Sequence, residues 1–111
     1  MILHTNDWGY FKTETLITDD GFGMISIDYE KDKPGIAMIH DLSVIPFAIK
    51  IGMAKALLTK VIEQAREHNS KYVELNYCHL VTPRWVYNWY ERNGFEEVSL
   101  GNWNTLMRKT L

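Results

Sequence analysis

The sequence predicts a single α+β domain over residues 1–111, in which helices pack on a mixed β-sheet in the order β-β-β-α-β-α-β-β. Three observations predict this fold. The first half alternates β-branched and polar residues between turn signals, the middle has the apolar spacing of an amphipathic helix, and a second helical segment precedes two short strands. A chain of 111 residues has room for one hydrophobic core.

The composition excludes several classes of protein. Hydrophobic residues make up 46% of the chain and aromatic residues 13%, which is typical of a packed domain. The net charge is −2 with scattered Lys and Arg, so there is no electrostatic footprint for nucleic acid. No apolar run could span a bilayer, and the N-terminus has no basic start followed by an apolar stretch. We expect a cytoplasmic protein that binds neither nucleic acid nor a membrane.

Cysteine and histidine usage predicts no metal site. Cys78 has no second cysteine with which to form an internal disulfide or a zinc pair. The histidines show no metal-ligand spacing, and we interpret each as an ordinary polar or surface residue. They are His4, His40, His68 and His79.

The first half predicts an antiparallel meander of three strands. The first runs from about residue 10 to 18, where Phe11, Thr13, Thr15 and Ile17 alternate with Lys12, Glu14 and Leu16. Asp19-Asp20-Gly21 supplies a turn, and the second strand covers about residues 22–29. A turn at residues 31–35 precedes the third strand at residues 36–44.

The second half predicts two helices and three strands. The first helix runs from near Ile51 to residues 68–70, on the apolar stripe Ala54, Leu57, Leu58, Val61, Ile62 and Ala65. Residues 72–77 form a strand parallel to the third, because a helical crossover joins them. Thr82-Pro83 predicts a helix start with a hydroxyl cap and a proline, and Asn93-Gly94 predicts its end. Strands follow at about residues 95–100 and 103–107.

The loop before the long helix is the most informative segment. A strand ends there and a helix begins with small residues, Gly52 and Ala54. The first amides of a helix lack intrahelical partners and lie at the positive end of its dipole, so an anionic phosphate can bind where no side chain intervenes. Lys50 and Lys55 would add attraction. The alternative is a plain strand-to-helix turn in which small residues allow close packing.

Two segments resemble a known family. Val44, Pro46, Gly52 and Ala54 match motif A of the GNAT superfamily of N-acetyltransferases, in which Val-x-Pro precedes a glycine-containing loop and an apolar helix. The sequence Trp89-Tyr90-Glu91-Arg92-Asn93-Gly94-Phe95 is similar to the second signature of that family. The resemblance covers residues 36 to about 95 and implies a GNAT-like mixed sheet that binds coenzyme A.

The resemblance implies a cofactor site and a catalytic residue. The implied contacts with acetyl-CoA are Leu42, Val44, Ile49, Lys50, Ile51, Gly52, Met53, Ala54 and Lys55. Ile49 stands where the family has Arg or Gln, so one side-chain contact with the phosphates is missing and we expect weaker binding. Tyr90 occupies the position of the acid that protonates the departing thiolate. The alternative for Tyr90 is a core aromatic whose hydroxyl merely finds a partner.

Both the acceptor and the general base stay open. Only residues 1–9 precede the first predicted strand, so we expect the N-terminal strand and two helices usual in the family to be missing. We expect an acceptor side that is open or completed by a second subunit, which makes a homodimer possible. The candidate bases are His40, Asp41, Glu74, Asn76 and His79. In a regular strand His40 and Asp41 point to opposite faces, so both cannot serve one site.

The predicted function is transfer of an acetyl group from acetyl-CoA to a primary amine by direct attack, without a metal. The acceptor itself is not indicated by the sequence. Two alternatives remain: a coenzyme A or acyl-CoA binding module without catalysis, and a protein-interaction module on the same fold. Ile49 and the short N-terminus favour the first alternative, and the four tryptophans favour the second.

Overall fold

The part of the chain that the structure describes forms seven strands and three helices. The strands are β1 (Ile2–Asp7), β2 (Phe11–Ile17), β3 (Gly23–Glu30), β4 (Ile36–Val44), β5 (Tyr72–Cys78), β6 (Glu96–Leu100) and β7 (Asn104–Thr110). The helices are α1 (Pro46–Ile49), α2 (Met53–Glu67) and α3 (Arg84–Arg92). This computed structural model describes residues 1–49 and 52–111, without the side chains of Phe47 and Ile49.

The strands form one mixed sheet in the order β1-β2-β3-β4-β5-β7-β6. Neighbouring strands are antiparallel except for β4 and β5, which are parallel as the helical crossover predicted. The predicted α+β class and the mixed sheet are therefore confirmed. The predicted strands and long helices lie within a few residues of the observed ones.

Strand β1 and the short helix α1 were not predicted. We expected three strands before the long helix and no N-terminal strand, whereas the described residues form four strands there. Each residue of β1 is exposed, so neither of its faces has the apolar alternation that marks a half-buried strand. Backbone pairing with β2, from Ile2 opposite Ile17 to Asp7 opposite Lys12, defines the strand instead. Only a short turn, and no helix, separates β1 from β2.

Helices α2 and α3 pack on the same face of the sheet. Gly23 of β3 lies beneath Met53 of α2, and the ring of Tyr77 in β5 contacts the ring of Tyr87 in α3 at 5.4 Å between centroids. The register of the strands places Gly23 and Tyr77 on one face. We call it the helix face. The opposite face, which carries Thr13, Asp28 and Glu74, is the open face, and neither α2 nor α3 covers it.

The apolar stripe of α2 supplies the helical side of the core, as its periodicity predicted. Its buried residues are Leu57, Leu58, Val61, Ile62 and Ala65. They pack with buried residues of the sheet, among them Ile25, Ile27 and Met107. Burying each Leu, Ile, Val or Met side chain among them contributes about 1.5–3 kcal/mol relative to exposure. No helix in the described ranges is both long and apolar enough to cross a membrane.

A carboxylate faces the core from β2. The buried residues of this strand and the turn after it are Glu14, Leu16 and Thr18, whereas Thr13 and Thr15 face the open side. Both carboxylate oxygens of Glu14 lie 3.2 Å from Nε2 of His68, just past the end of α2. The Tyr29 ring stacks on the His68 ring at 4.2 Å. His68 is therefore a partly exposed polar residue, with a side chain that is 35% exposed, and it pairs with the buried Glu14.

Helix α3 ends as predicted, but it does not begin as predicted. The N-cap residue is Pro83, and no side-chain cap hydrogen bond forms, so the predicted hydroxyl cap from Thr82 is wrong. The carbonyl oxygen of Thr82 instead accepts a 2.7 Å hydrogen bond from the Tyr77 hydroxyl, which ties the start of α3 to the end of β5. At the other end Gly94 has φ +92°, as a helix-terminating glycine requires.

Candidate functional site

The parallel strands β4 and β5 separate after a short junction. They pair through Ile36–Tyr72, Ala37–Val73 and Met38–Glu74, although β4 continues to Val44 and β5 to Cys78. Beyond Met38 the edge of β4 that faces β5 has no strand partner. Backbone N–H and C=O groups need hydrogen-bond partners when water is excluded, so this edge is available to an extended ligand.

Two adjoining cavities occupy the gap between the separated strands. The first, of about 160 Å³, lies at the start of α2, and the second, of about 180 Å³, lies between the strands. They share Leu42, Val86 and Tyr90. The first is lined by Leu42, Val44, Gly52, Ala54, Lys55, Trp85, Val86, Trp89 and Tyr90. Together they form one cleft, which leads from the N-terminus of α2 to the centre of the sheet.

The structure brings together several of the predicted cofactor residues. Leu42, Val44, Gly52, Ala54 and Lys55 line the first cavity. Met53 does not line it, because its side chain packs toward Gly23 and the core.

Three further predicted positions cannot be placed in the cleft. Lys50 and Ile51 lie outside the described residues, and Ile49 ends α1 without a described side chain.

The N-terminus of α2 is uncapped. Gly52 precedes the helix in the left-handed conformation, with φ +80° and ψ +18°, and no side chain of a described residue caps the helix there. The first turn carries no acidic residue. A Cβ atom added at Gly52 would meet nothing within 4 Å. Amides at this positive end of the helix dipole therefore face open space and could bind a phosphate.

Lys55 places a positive charge at the rim of the cleft. Its ammonium group donates a hydrogen bond to the side-chain oxygen of Asn93, and the Asn93 amide donates to the Trp89 carbonyl oxygen at 2.7 Å. This chain of contacts joins the start of α2 to the end of α3. The charge is thereby held next to the uncapped helix terminus.

Helix α3 forms the apolar wall of the cleft. Trp85, Val86 and Trp89 line the first cavity together with Tyr90. Trp85, Val86 and Trp89 were not predicted as site residues, because the second signature was interpreted only around Tyr90. The helical spacing of Val86, Trp89 and Tyr90 was the available signal, since one helix side carries all three.

Tyr90 is buried where the two cavities meet. Tyr90 is 7% exposed. Its ring makes edge contacts with the rings of Trp89 and Phe95, at 5.0 Å and 5.4 Å between ring centroids. Burial, followed by the negative charge of Asp41, raises the pKa of Tyr90 to about 12. The phenol is therefore protonated at neutral pH. No described residue makes a hydrogen bond with its hydroxyl group.

A β-bulge at His40 changes the geometry expected for β4. Ile39 pairs with Ile27 and Asp41 pairs with Ser26, so His40 is an extra residue without a partner in β3. His40 and Asp41 both line the second cavity. The expectation that only one of them could face a single site holds for a regular strand, and this strand is irregular at that point.

The other predicted bases are differently placed. Asn76 lines the second cavity. The Glu74 carboxylate accepts a 2.7 Å hydrogen bond from Nε of Arg108. His79 contacts the buried Thr105 hydroxyl at 2.6 Å, and neither Glu74 nor His79 lines the cleft.

Neither cysteine nor acidic residues form a metal site in the part of the chain that the structure describes. No cluster of His, Cys, Asp and Glu there could hold a metal ion. Cys78 is half-buried at the end of β5 and has a free thiol.

Comparisons with solved structures show the same fold. A putative acetyltransferase of the GNAT family from Desulfovibrio desulfuricans superposes with a TM-score of 0.76 at 18% identity, over 90% of this chain and 69% of that one. The PaiA N-acetyltransferase from Thermoplasma acidophilum, in complex with coenzyme A, gives 0.72 at 16% identity, over 91% and 60%. A GNAT family acetyltransferase from Elizabethkingia anophelis, with acetyl-CoA bound, gives 0.73 at 12% identity, over 99% and 97%.

Sequence comparison identifies the family independently of the structure. No curated protein matches the chain. The sequence model of the acetyltransferase (GNAT) family, however, matches residues 11–95, which span the cleft and both long helices. The chain therefore belongs to the acetyltransferase (GNAT) family.

Proposed function

We propose that the chain binds acetyl-CoA in the cleft between β4 and β5 and transfers the acetyl group to a primary amine. One observation carries the proposal: an unpaired strand edge and an uncapped helix N-terminus open into the same cleft. An extended ligand that carries phosphates at one end matches both features. Coenzyme A has this form, since its pantetheine arm carries amides and its other end carries a diphosphate.

The pantetheine arm pairs with β4 in this proposal. Leu42 and Val44 line the first cavity, beyond the last pair of β4 with β5. Amides of an extended ligand can bond to such an edge as an added strand would. The apolar wall of Trp85, Val86 and Trp89 covers the opposite side of the arm and excludes water from these bonds.

The diphosphate binds at the start of α2. The first amides of the helix supply donors, and Gly52 keeps the approach free of side-chain atoms. Lys55 adds a positive charge at the rim. The Ile49 position supplies no charged group, which supports a weaker affinity than in relatives with Arg or Gln there.

Tyr90 protonates the departing thiolate in this proposal. The bound thioester supplies an activated acetyl group, which the neutral amine attacks. Because the pKa of Tyr90 is raised to about 12, the phenol keeps its proton at neutral pH until a stronger base forms beside it. Its position at the junction of both cavities supports this role, since the sulfur would lie where the pantetheine arm ends.

Solved relatives support the choice of ligand. The Elizabethkingia anophelis protein has acetyl-CoA bound, and this chain spans 97% of its length. The Thermoplasma acidophilum protein was solved in complex with coenzyme A. A chain of this size in the same fold can therefore hold the thioester.

The proposal is tested by calorimetry with acetyl-CoA and by thiol release across a panel of primary amines. We expect saturable binding, amide shifts at residues 52–55 in NMR spectra, and thiol release with at least one amine. Ala54→Glu should abolish binding, because a carboxylate in the first turn repels the diphosphate while it favours the helix. Ala54→Gln is the neutral control of equal size.

Two results would contradict the proposal. A wild-type chain that binds no acetyl-CoA would remove it altogether. Binding without thiol release from any amine would instead support the alternative of a coenzyme A binding module that lacks catalysis.

A further inference from the structure

The bulge in β4 places an imidazole at the mouth of the cleft. His40 is the extra residue between the pairs Ile39–Ile27 and Asp41–Ser26. Its side chain is 70% exposed and lines the second cavity, which Tyr90 lines from the helix face. Bulges next to active sites commonly redirect a side chain. An amine that enters from the open face would therefore meet His40 before it reaches the site of acetyl transfer.

A fixed carboxylate faces one nitrogen of this imidazole. Nδ1 of His40 lies 3.9 Å from Oδ2 of Asp28, whose side chain is 19% exposed. The other Asp28 oxygen accepts a 2.7 Å hydrogen bond from the Thr13 hydroxyl, and Nε1 of Trp8 donates to that hydroxyl oxygen at 3.1 Å. These bonds hold Asp28 in place from the edge of the sheet. Nε2 of His40 has no hydrogen-bond partner among the described residues and remains available to the cleft.

We propose that His40, positioned by Asp28, is the general base that removes a proton from the acceptor ammonium group. This inference rests on the proposed acetyltransferase function. An amine enters as R–NH₃⁺, which cannot attack a carbonyl until it loses a proton. That proton passes to Nε2 of His40, directly or through one water molecule, and Asp28 stabilises the positive charge that develops on the ring.

The remaining steps balance without another reactant. The freed nitrogen lone pair forms the C–N bond with the acetyl carbonyl carbon, and the C–S bond breaks as the intermediate collapses. The departing sulfur takes the proton of the Tyr90 phenol. The second amine proton, which is lost at collapse, restores that phenol. His40 then releases its proton to solvent through its exposed side.

The charged groups around His40 are compatible with this role. Asp28 faces it from β3, and Asp41 is its neighbour in β4. Glu74 of β5 is paired with Arg108 of β7, so its charge is compensated. Asp28 and Asp41 would attract an incoming ammonium group to the same place.

The inference is tested with His40→Gln, and His4→Gln is the matched control on the exposed strand β1. With an aliphatic amine, His40→Gln should lower kcat/KM by about 100-fold and remove the acid limb of its pH profile. The Kd for acetyl-CoA should not change. Added imidazole should restore part of the rate. Asp28→Asn should lower kcat/KM less and shift the limb rather than abolish it, as expected for a positioning residue.

A second acceptor separates proton removal from a structural effect. Hydroxylamine is largely unprotonated at pH 7 and needs no base, so its acetylation should be almost equally fast in wild type and in His40→Gln. Equal kcat/KM values and pH profiles for both proteins with an aliphatic amine would overturn this inference alone. Failure of the wild type to bind acetyl-CoA or to acetylate any amine would overturn the proposed function and this inference with it.

Discussion

Gly23 lies directly beneath Met53: a Cβ atom added to this glycine would come within 2.9 Å of the Met53 sulfur and 3.0 Å of Leu57 Cδ1. The contact sets how closely the first turn of α2 approaches β3. The position of this first helical turn also determines where the amides of α2 meet the cleft. Packing beneath the helix therefore helps to determine the geometry of the proposed phosphate site.

Gly23→Ala should destabilise the fold by about 1–3 kcal/mol, because it inserts a methyl group into a filled space. Met53→Ala removes the side chain that it meets. In the Met53→Ala background, Gly23→Ala should therefore lower the unfolding free energy by less than it does in the wild type. Urea denaturation should give a coupling energy between the two substitutions of at least about 0.5 kcal/mol. Additive effects of the two substitutions would show that the helix moves as a whole to relieve the contact.

Gly52→Ala should weaken both the fold and coenzyme A binding. The left-handed backbone at φ +80° costs a residue with a Cβ atom about 1–2 kcal/mol. Gly21→Ala is a matched control, because Gly21 has φ +76° and equally open surroundings. Denaturation should show similar losses for both variants, whereas calorimetry should show weaker binding only for Gly52→Ala. Equal Kd values for Gly52→Ala and the wild type would mean that coenzyme A does not approach Gly52.

Tyr90→Phe should lower kcat by about 100-fold and leave the Kd for acetyl-CoA unchanged, because it removes the acid but keeps the ring. Tyr87→Phe is the control on the same helix, since the Tyr87 hydroxyl donates to Glu97 at 3.2 Å and does not line the cleft. Steady-state thiol release measures kcat. Wild-type turnover in Tyr90→Phe would assign the hydroxyl no part in the reaction.

The alkaline titration of Tyr90 should be displaced from that of an ordinary tyrosine. Its pKa of about 12 in the fold exceeds the value of about 10 for an exposed phenol, so the folded state holds the proton more tightly. The resulting stability is complete below about pH 10 and is lost as the pH rises through about 12. Between these values the unfolding free energy of the wild type should fall by about 1.4 kcal/mol per pH unit more than that of Tyr90→Phe. A tyrosinate difference spectrum between the two proteins with its midpoint near pH 10 would contradict this.

His68→Phe should destabilise the fold by about 1–3 kcal/mol. The new ring can still stack on Tyr29, but Glu14 keeps a buried carboxylate without a partner. The partial exposure of His68 lowers the estimate below that of a fully buried pair. Adding Glu14→Leu should recover most of the loss in chemical denaturation, because the uncompensated charge is gone. If the double variant is no more stable than His68→Phe, loss of the His68–Glu14 pair is not the cause of the destabilisation.

The sequence predicted the elements whose signal is local. The stripe of α2 has the helical period, Gly94 ends α3 in the conformation that glycine favours, and Gly52 with Ala54 indicated the open helix terminus. Each of these features depends on residues within one or two turns of each other. Such features can be interpreted without knowledge of what packs against them.

The features that the sequence left unpredicted depend on distant partners. Strand β1 exists through its pairing with β2, and its exposed residues carry no pattern. Glu14 faces the core because His68, more than fifty residues away, meets it there. The bulge at His40 follows from its register with β3, and a single strand cannot reveal that register.

The short junction between β4 and β5 divides the sheet into a four-stranded and a three-stranded part. Three residue pairs and the packing of α2 and α3 are what join these parts across the gap. A ligand that filled the gap would bond to one part and pack on the other, so it would act as a structural bridge as well as a reactant. We therefore expect the opening proposed to admit the thioester to be also the boundary at which the ligand-free domain unfolds first.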